Sequence, residues 1–132
     1  MCVPKRRALA GNENESSKER LMAMVETQDT PFMRQYKALK RDAPAGSILL
    51  VQIGDFYEAF GEDAVRLAPI FGTTLTKRSG IPMTGCPRHS LDMRLSSPRA
   101  KDAVFAVADI AESPLHKTGL LRREIVRVIN AA

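Results

Sequence analysis

Apolar and polar positions divide the chain into a polar N-terminal stretch and a longer region with regular periodicity. From Met1 to about Glu26 no apolar period is sustained, and the stretch GNENESSKER is polar and of mixed charge. Such a segment cannot bury enough apolar surface to offset the entropy cost of ordering. We therefore predict a disordered extension over residues 1–26 and one folded domain over residues 27–132.

The first predicted helix begins near Thr30, whose side chain can cap it, with Pro31 at the first helical position. Proline is tolerated there because the amide hydrogen it lacks would have no partner inside the helix. Residues 44–47 end the element. Its apolar stripe at helical spacing consists of Phe32, Tyr36 and Leu39.

A short apolar run with β-branched members, Ile48 to Ile53, predicts a buried strand that Gly54 ends. Asp55 is then predicted to cap a second helix that stops at Gly72. The apolar stripe of this helix would consist of Phe56, Phe60, Ala64, Leu67 and Phe71.

The rest of the chain alternates short apolar segments with turn formers. The pattern predicts a strand around Thr74, a turn-rich stretch from Lys77 to Pro87, a short helix from Ser90 to Leu95, and strands near Val104 to Val107 and Ile125 to Ile129. Helices that alternate with short strands favour an α/β (α+β) fold, a mixed β-sheet flanked by helices.

The composition is basic, and it excludes membrane-spanning proteins and disulfide-rich proteins. The net charge is +5, and residues 1–30 hold five basic and five acidic side chains, so the surplus lies in residues 31–132. This balance permits a polyanionic partner. No apolar run reaches the roughly 18 residues of a membrane span. Cys2 and Cys86 form no disulfide framework, which favours a reducing, intracellular compartment, whether cytoplasm, nucleoid or nucleus.

The segment GDFYEAF, residues 54–60, holds the chemistry of greatest interest. Phe56 and Glu58 flank Tyr57, which places an aromatic ring and a carboxyl group two residues apart. A ring can stack on a loosened base while a carboxyl group bonds the base edge. A structural interpretation also stands, because Asp55 and Glu58 have the spacing of a capping box and Phe56 extends the helical stripe.

Five motifs, in order, resemble domain I of the MutS family of DNA mismatch repair proteins. They are TPFMRQYKALK, ILLVQIGDFYEAFGEDAVRLA, LTKR, IPMTGCPRH and REIVRV. The resemblance implies a Phe-X-Glu reader at Phe56, Tyr57 and Glu58, with mismatched or looped double-stranded DNA as the partner. It also makes Lys77, Arg78 and Met83 candidates for DNA contacts. The alternatives are a solvated turn for the two cations and core packing for Met83.

The sequence departs from the family pattern at several places. The loop between Arg78 and Ile81 is shorter than in typical bacterial members, and Arg88 stands where the family usually has tyrosine before its histidine, here His89. Residues 96–98, Ser-Ser-Pro, interrupt the helix that follows. The loop contacts therefore rest on a weaker match than the Phe-X-Glu reader does.

The 132 residues lack the phosphate-binding motif of the family's ATPase domain. None of the eight glycines is followed by lysine, so the phosphate-binding sequence GxxxxGK[ST] does not occur. We expect no catalytic residue, no metal ligand and no cofactor here, because ATP and magnesium belong to other domains of the family. We also expect weak, salt-sensitive DNA binding, with a full-length MutS homologue as a second partner.

Two further functions compete with DNA binding. Asp55, Glu58, Glu62 and Asp63 could hold a divalent metal for phosphodiester cleavage. Alternatively, the domain could be a protein-interaction or regulatory remnant of a MutS protein whose DNA-binding face is unused.

Overall fold

A computed structural model describes residues 30–112 and 119–130. The predicted extension over residues 1–26 lies outside the described residues. Within the described ranges, no helix combines the length and the apolar character needed to cross a membrane.

The described chain forms an α+β fold of three helices and six strands, which confirms the predicted class. Two single 3₁₀ turns, Arg88–Ser90 and Pro98–Ala100, flank the third helix. The elements are α1 (Pro31–Asp42), β1 (Ile48–Ile53), β2 (Phe56–Phe60), α2 (Glu62–Phe71), β3 (Thr76–Arg78), β4 (Ile81–Pro87), α3 (Leu91–Leu95), β5 (Phe105–Ile110) and β6 (Arg123–Ile129).

The strands form one mixed sheet in the order β3-β4-β2-β1-β5-β6. β1 and β5 run parallel, and every other neighbouring pair is antiparallel. The central strands β1 and β5 carry fully buried apolar side chains on both faces of the sheet, as expected for strands covered on both sides. β3 and β6 are the two edges.

Helices cover the sheet on both faces, so the domain has two apolar clusters. On the face that we call the α1 face, α1 packs against Leu49, Val51, Phe60, Ile81, Ala106 and Ala108. On the opposite face, which we call the α2 face, α2 and α3 pack against Ile48, Leu50, Tyr57, Ala59, Phe105 and Val107. Successive side chains of a strand point to opposite faces, which explains this division.

A buried carboxylate joins α1, α2 and β1. Asp63, which is 3% exposed, accepts hydrogen bonds from the Tyr36 hydroxyl at 3.3 Å and from the Leu49 amide at 3.0 Å. It also forms an ion pair of 2.9 Å with the Lys40 ammonium. Burial, and then the Asp63 charge, raise the pKa of Tyr36 well above its usual value. These bonds satisfy the buried carboxylate and fix α1 on the sheet.

The predicted start of α1 is confirmed. The Thr30 side chain accepts a hydrogen bond of 3.1 Å from the Met33 amide, and Pro31 opens the helix. Tyr36 and Leu39 face the core as expected, while Met33 is more deeply buried than Phe32, which is only partly covered.

The prediction that a helix begins at Asp55 is wrong for its first half. Gly54 has a positive φ of 57° and forms with Asp55 a two-residue loop of the type II′ arrangement, so the chain turns back as strand β2. Phe56 and Phe60 share a face in a strand as well as in a helix, because a four-residue separation fits both periods. The helix begins at Glu62 and ends, as predicted, at Gly72 in the left-handed conformation.

The prediction of a turn-rich stretch from Lys77 to Pro87 is also wrong, because these residues form most of the β3–β4 hairpin. Ser79 and Gly80 have φ values of 52° and 82°, the double positive φ of a type I′ loop. This two-residue loop is the tightest connection that an antiparallel pair allows. The short helix and the last two strands were predicted correctly, as α3, β5 and β6.

Candidate DNA-binding site

The β1–β2 hairpin presents Phe56 at one end of the sheet. Phe56 is the first residue of β2 and pairs with Ile53 on one side and Pro87 on the other. The residue is 46% exposed, although the sheet has helices on both faces. The ring is therefore available to a partner.

Glu58 lies two residues along the same strand, so it shares a face of the sheet with Phe56. It pairs with Gly85 on β4, and the register assigns both residues to the α1 face. A Cβ added to Gly85 would lie 3.0 Å from the Glu58 Cγ and would also clash with the Tyr57 carbonyl oxygen. The glycine thus leaves the room in which the Glu58 side chain lies.

The Glu58 carboxyl group is largely buried but incompletely paired. Its side chain is 18% exposed, and Oε1 lies 3.8 Å from Nη1 of Arg78. Within the described residues, this oxygen accepts no hydrogen bond. Burial raises the pKa of Glu58, and the nearby Arg78 charge offsets part of that effect. A carboxyl group in this state is poised to accept a hydrogen bond or, once protonated, to donate one.

Tyr57 lies on the α2 face, away from Phe56 and Glu58. Tyr57 is 6% exposed, and its hydroxyl donates a hydrogen bond of 2.7 Å to Oδ1 of Asp109 on β5. Burial raises the pKa of Tyr57, and the bond to Asp109 adds to this effect. The sequence grouped Tyr57 with the DNA contacts; in the structure its ring packs in the α2-face cluster, and its role in DNA binding stays a prediction.

The two candidate cations are separated by the pleat of β3. Arg78 pairs with Ile81 and therefore lies on the α1 face, whereas Lys77 pairs with Pro82 and lies on the other. Both side chains are exposed. The structure therefore brings Arg78 together with Glu58 on the face that carries Phe56, and it leaves Lys77 on the opposite face.

Met83 contributes mainly to packing. It pairs with Phe60 across the β2–β4 ladder, is half-buried and packs against the α1-face cluster. This position agrees with the core-packing alternative that the sequence left open for Met83.

The four carboxylates considered for a metal site are not gathered. Asp55 lies in the exposed hairpin loop, and Asp63 is buried in its ion pair with Lys40. Across residues 30–112 and 119–130, no group of three or more histidine, cysteine or acidic side chains is arranged to hold a metal ion. The four carboxylates considered for metal binding are therefore not brought together within the described residues.

Gly85 is a site residue that sequence reasoning missed. A glycine inside a strand often marks a close approach of backbone or side chains, and that signal was present in the stretch IPMTGCP. It was not used because the stretch was interpreted as turns, so no cross-strand partner could be assigned to Gly85.

The fold and site define a small α+β sheet domain that presents an aromatic ring and a carboxyl group on one face. The chain belongs to the MutS family, since the family model described as MutS domain I matches residues 30–132.

Three curated relatives illustrate the match, and each is named DNA mismatch repair protein MutS. The chain is 41% identical over 109 residues to that of Desulfitobacterium hafniense, an alignment that covers 79% of this chain and 12% of the relative. For the protein of Fervidobacterium nodosum the identity is 42% over 100 residues, and the alignment covers 76% of this chain and 12% of the relative. For Methanothrix thermoacetophila it is 39% over 106 residues, covering 76% and 12%. The aligned part is therefore a small fraction of each relative.

Proposed function

We propose that this domain binds double-stranded DNA at mispaired or unpaired bases and serves in DNA mismatch repair. Phe56 stacks on the affected base, and Glu58 forms a hydrogen bond to it. The observation that carries the proposal is the 46% exposure of Phe56 at the β1–β2 hairpin, with Glu58 on the same face. Membership of the MutS domain I family and the names of the relatives support it.

The energetics of stacking explain how such a ring could discriminate. Stacking of a base on an aromatic side chain contributes about 1–3 kcal/mol. Unstacking a step of normal duplex costs a few kcal/mol, so a paired step resists the ring. A mismatched step is already partly unstacked and kinks more easily, which turns the balance toward insertion.

Glu58 adds selectivity because its carboxyl group is held near the ring with one oxygen unsatisfied. Oε1 is shielded from solvent in the free domain, so a base donor would bond to it only once the Glu58 side chain turns outward, and that bond would replace one that the buried atom lacks. The raised pKa of Glu58 also lowers the cost of bringing this acid to a polyanion, since protonation removes the repulsive charge.

Arg78 supplies the cation on the same face. Its side chain is 58% exposed, so it can reach a phosphate oxygen at little desolvation cost. Each phosphate neutralised by a lysine or arginine releases counterions, so binding should weaken steeply with salt.

Fluorescence anisotropy at low salt tests the proposal, with a G·T-mismatched duplex and the matched paired duplex as ligands. We expect tighter binding to the mismatched duplex and a loss of that preference in Phe56→Ala. Met93→Ala is the control, because Met93 is another exposed apolar residue, 67% exposed, on α3. Equal binding to both duplexes by the wild-type domain would refute the proposal.

A protein-interaction function is the second candidate, and one observation favours it. Val126 and Val128 on the edge strand β6 are 48% and 44% exposed, and an edge strand with exposed valines can pair with another chain. Co-purification with a full-length MutS homologue, lost in a Val126→Lys variant and accompanied by no DNA binding, would favour this function over the first.

A further inference from the structure

Gln52 connects the Phe56 hairpin to the neighbouring strands. It is the penultimate residue of β1, and its side-chain Oε1 accepts a hydrogen bond of 2.8 Å from the Ile110 amide at the end of β5. Its side-chain Nε2 donates to the carbonyl oxygen of Gly54 at 3.3 Å, within the hairpin loop itself. One side chain therefore joins the loop that precedes Phe56 to the end of β5.

Arg123 holds the same residue from the other side. The first residue of β6, it donates from Nε to the Gln52 carbonyl oxygen at 2.7 Å and from Nη1 to the Gln35 side-chain oxygen at 2.8 Å. Its guanidinium carbon lies 5.4 Å from the centroid of the Phe32 ring. The planar guanidinium holds two acceptors in a fixed geometry while it lies near the aromatic ring, and the compact ammonium of a lysine does not offer that geometry.

These contacts converge on the part of β1 that leads directly into the hairpin loop. Burial lowers the pKa of Arg123, yet an arginine keeps its charge in proteins, so its hydrogen bonds are charge-assisted. Asp55 in the loop is held separately, because its carbonyl oxygen accepts a hydrogen bond of 2.8 Å from the Arg88 amide. The loop is thus anchored to the 3₁₀ turn that follows β4 and, through Gln52 and Arg123, to β5, β6 and α1 in the free protein.

We propose that Gln52 and Arg123 are positioning residues for Phe56, which fix the β1–β2 loop so that the ring meets DNA in one orientation. The inference rests on the proposed function. A ring carried by a freely moving two-residue loop would lose conformational entropy on insertion into DNA. A loop that is already ordered in the free protein loses less conformational entropy on binding, so binding is tighter and more selective.

Hydrogen exchange in the free protein tests the structural half without DNA. The variants are Gln52→Met, which keeps the length of the side chain but removes its amide, and Arg123→Lys, which keeps the charge. Arg127→Lys is the matched control, on the same strand, with its guanidinium bonded to Asp92 at the surface. We expect the amides of Phe56 and Arg88 to exchange about fivefold faster or more in the two variants, through local opening. The Val107 amide should stay unchanged in all three proteins.

Mismatch discrimination tests the functional half, measured as the ratio of affinities for G·T-mismatched and paired duplex at a temperature where every variant is folded. We expect a ratio about three- to tenfold lower in Gln52→Met and Arg123→Lys, and an unchanged ratio in Arg127→Lys. A 2-aminopurine placed beside the mismatch becomes more fluorescent when it unstacks. We expect this increase on protein binding to be smaller for the same two variants than for the wild type.

The outcomes separate the two proposals. Unchanged exchange at Phe56 and Arg88 overturns the positioning role and leaves the function of Phe56 intact. Faster exchange with an unchanged affinity ratio overturns it too, because the loop would then be held for stability alone. A wild-type ratio of one refutes mismatch binding, and the positioning of Phe56 for DNA fails with it, whatever the exchange rates show.

Discussion

Glu58 on β2 lies directly across from Gly85 on β4, and the Glu58 side chain uses the space that a side chain at position 85 would fill. The pairing explains how a carboxyl group can be held on a sheet beside an exposed ring. A residue with a Cβ at position 85 would push Glu58 outward or force the two strands apart.

Gly85→Ala is therefore expected to be destabilising. The new methyl group would meet the Tyr57 carbonyl oxygen and the Glu58 Cα and Cγ, of which the first two belong to the backbone and cannot move aside. We expect the free energy of unfolding to fall by about 1–3 kcal/mol, the usual cost of overpacking. Urea denaturation measures it, and a stability equal to that of the wild type would contradict the close approach of the two strands.

Glu58→Gln should change the pH dependence of stability. Because burial raises the pKa of Glu58 in the folded state, the folded protein binds a proton more readily than the unfolded chain. The stability contributed by this group is then fully present below its unfolded pKa and is lost as the pH rises through the folded pKa. At neutral pH we expect the free energy of unfolding of the variant to exceed that of the wild type by on the order of 1 kcal/mol or less. The nearby Arg78 charge and the partial exposure of Glu58 reduce the cost of burying the carboxylate.

Thermal unfolding between pH 4 and pH 8 measures this effect. The difference in stability between Glu58→Gln and the wild type should shrink toward the acidic end of the range. A variant that is less stable than the wild type at neutral pH, by a margin that grows with pH, would show that Glu58 is stabilised as a carboxylate.

The sequence predicted those features that depend on neighbouring residues. The Thr30 cap, Pro31 at the helix start and Gly72 at a helix end are local effects, and each was found where expected. The β1–β2 hairpin was missed because Phe56 and Phe60 satisfy both the helical and the strand period. Gly54 carried the missing signal, since a glycine at the first position of a two-residue loop is typical of a hairpin.

The candidate site could be predicted only as a set of residues. Phe56 and Glu58 came from their spacing and from a family resemblance, and the structure does place both on one face. The partition of Lys77 from Arg78 and the contact of Glu58 with Gly85 depend on the register of β2, β3 and β4. Register is a tertiary property, because a shift of one residue moves every side chain to the other face.

Arg78→Ala and Lys77→Ala form a matched pair that tests this partition. Each substitution removes one positive charge from adjacent positions of β3, but only Arg78 lies on the face of Phe56. We expect Arg78→Ala to reduce the slope of log affinity against log salt by about 0.9, the loss of one phosphate contact. Lys77→Ala should change the slope much less. Anisotropy titrations at several salt concentrations measure both, and equal slopes for the two variants would contradict a DNA-binding surface confined to the α1 face.

Tyr57→Phe separates the role of the middle residue of the Phe-Tyr-Glu sequence from those of its neighbours. The substitution removes only the hydroxyl, which donates a hydrogen bond of 2.7 Å to Asp109 on the α2 face. We expect the free energy of unfolding to fall by about 1.5–3 kcal/mol, the usual net contribution of a hydrogen bond to a charged group. The ratio of affinities for mismatched and paired duplex should stay at the wild-type value, because the ring faces the core and the α1 face is unaltered. Urea denaturation and anisotropy measure the two quantities on the same sample. If the ratio fell while stability held, the Tyr57 hydroxyl would belong to the DNA contact rather than to the link between β2 and β5.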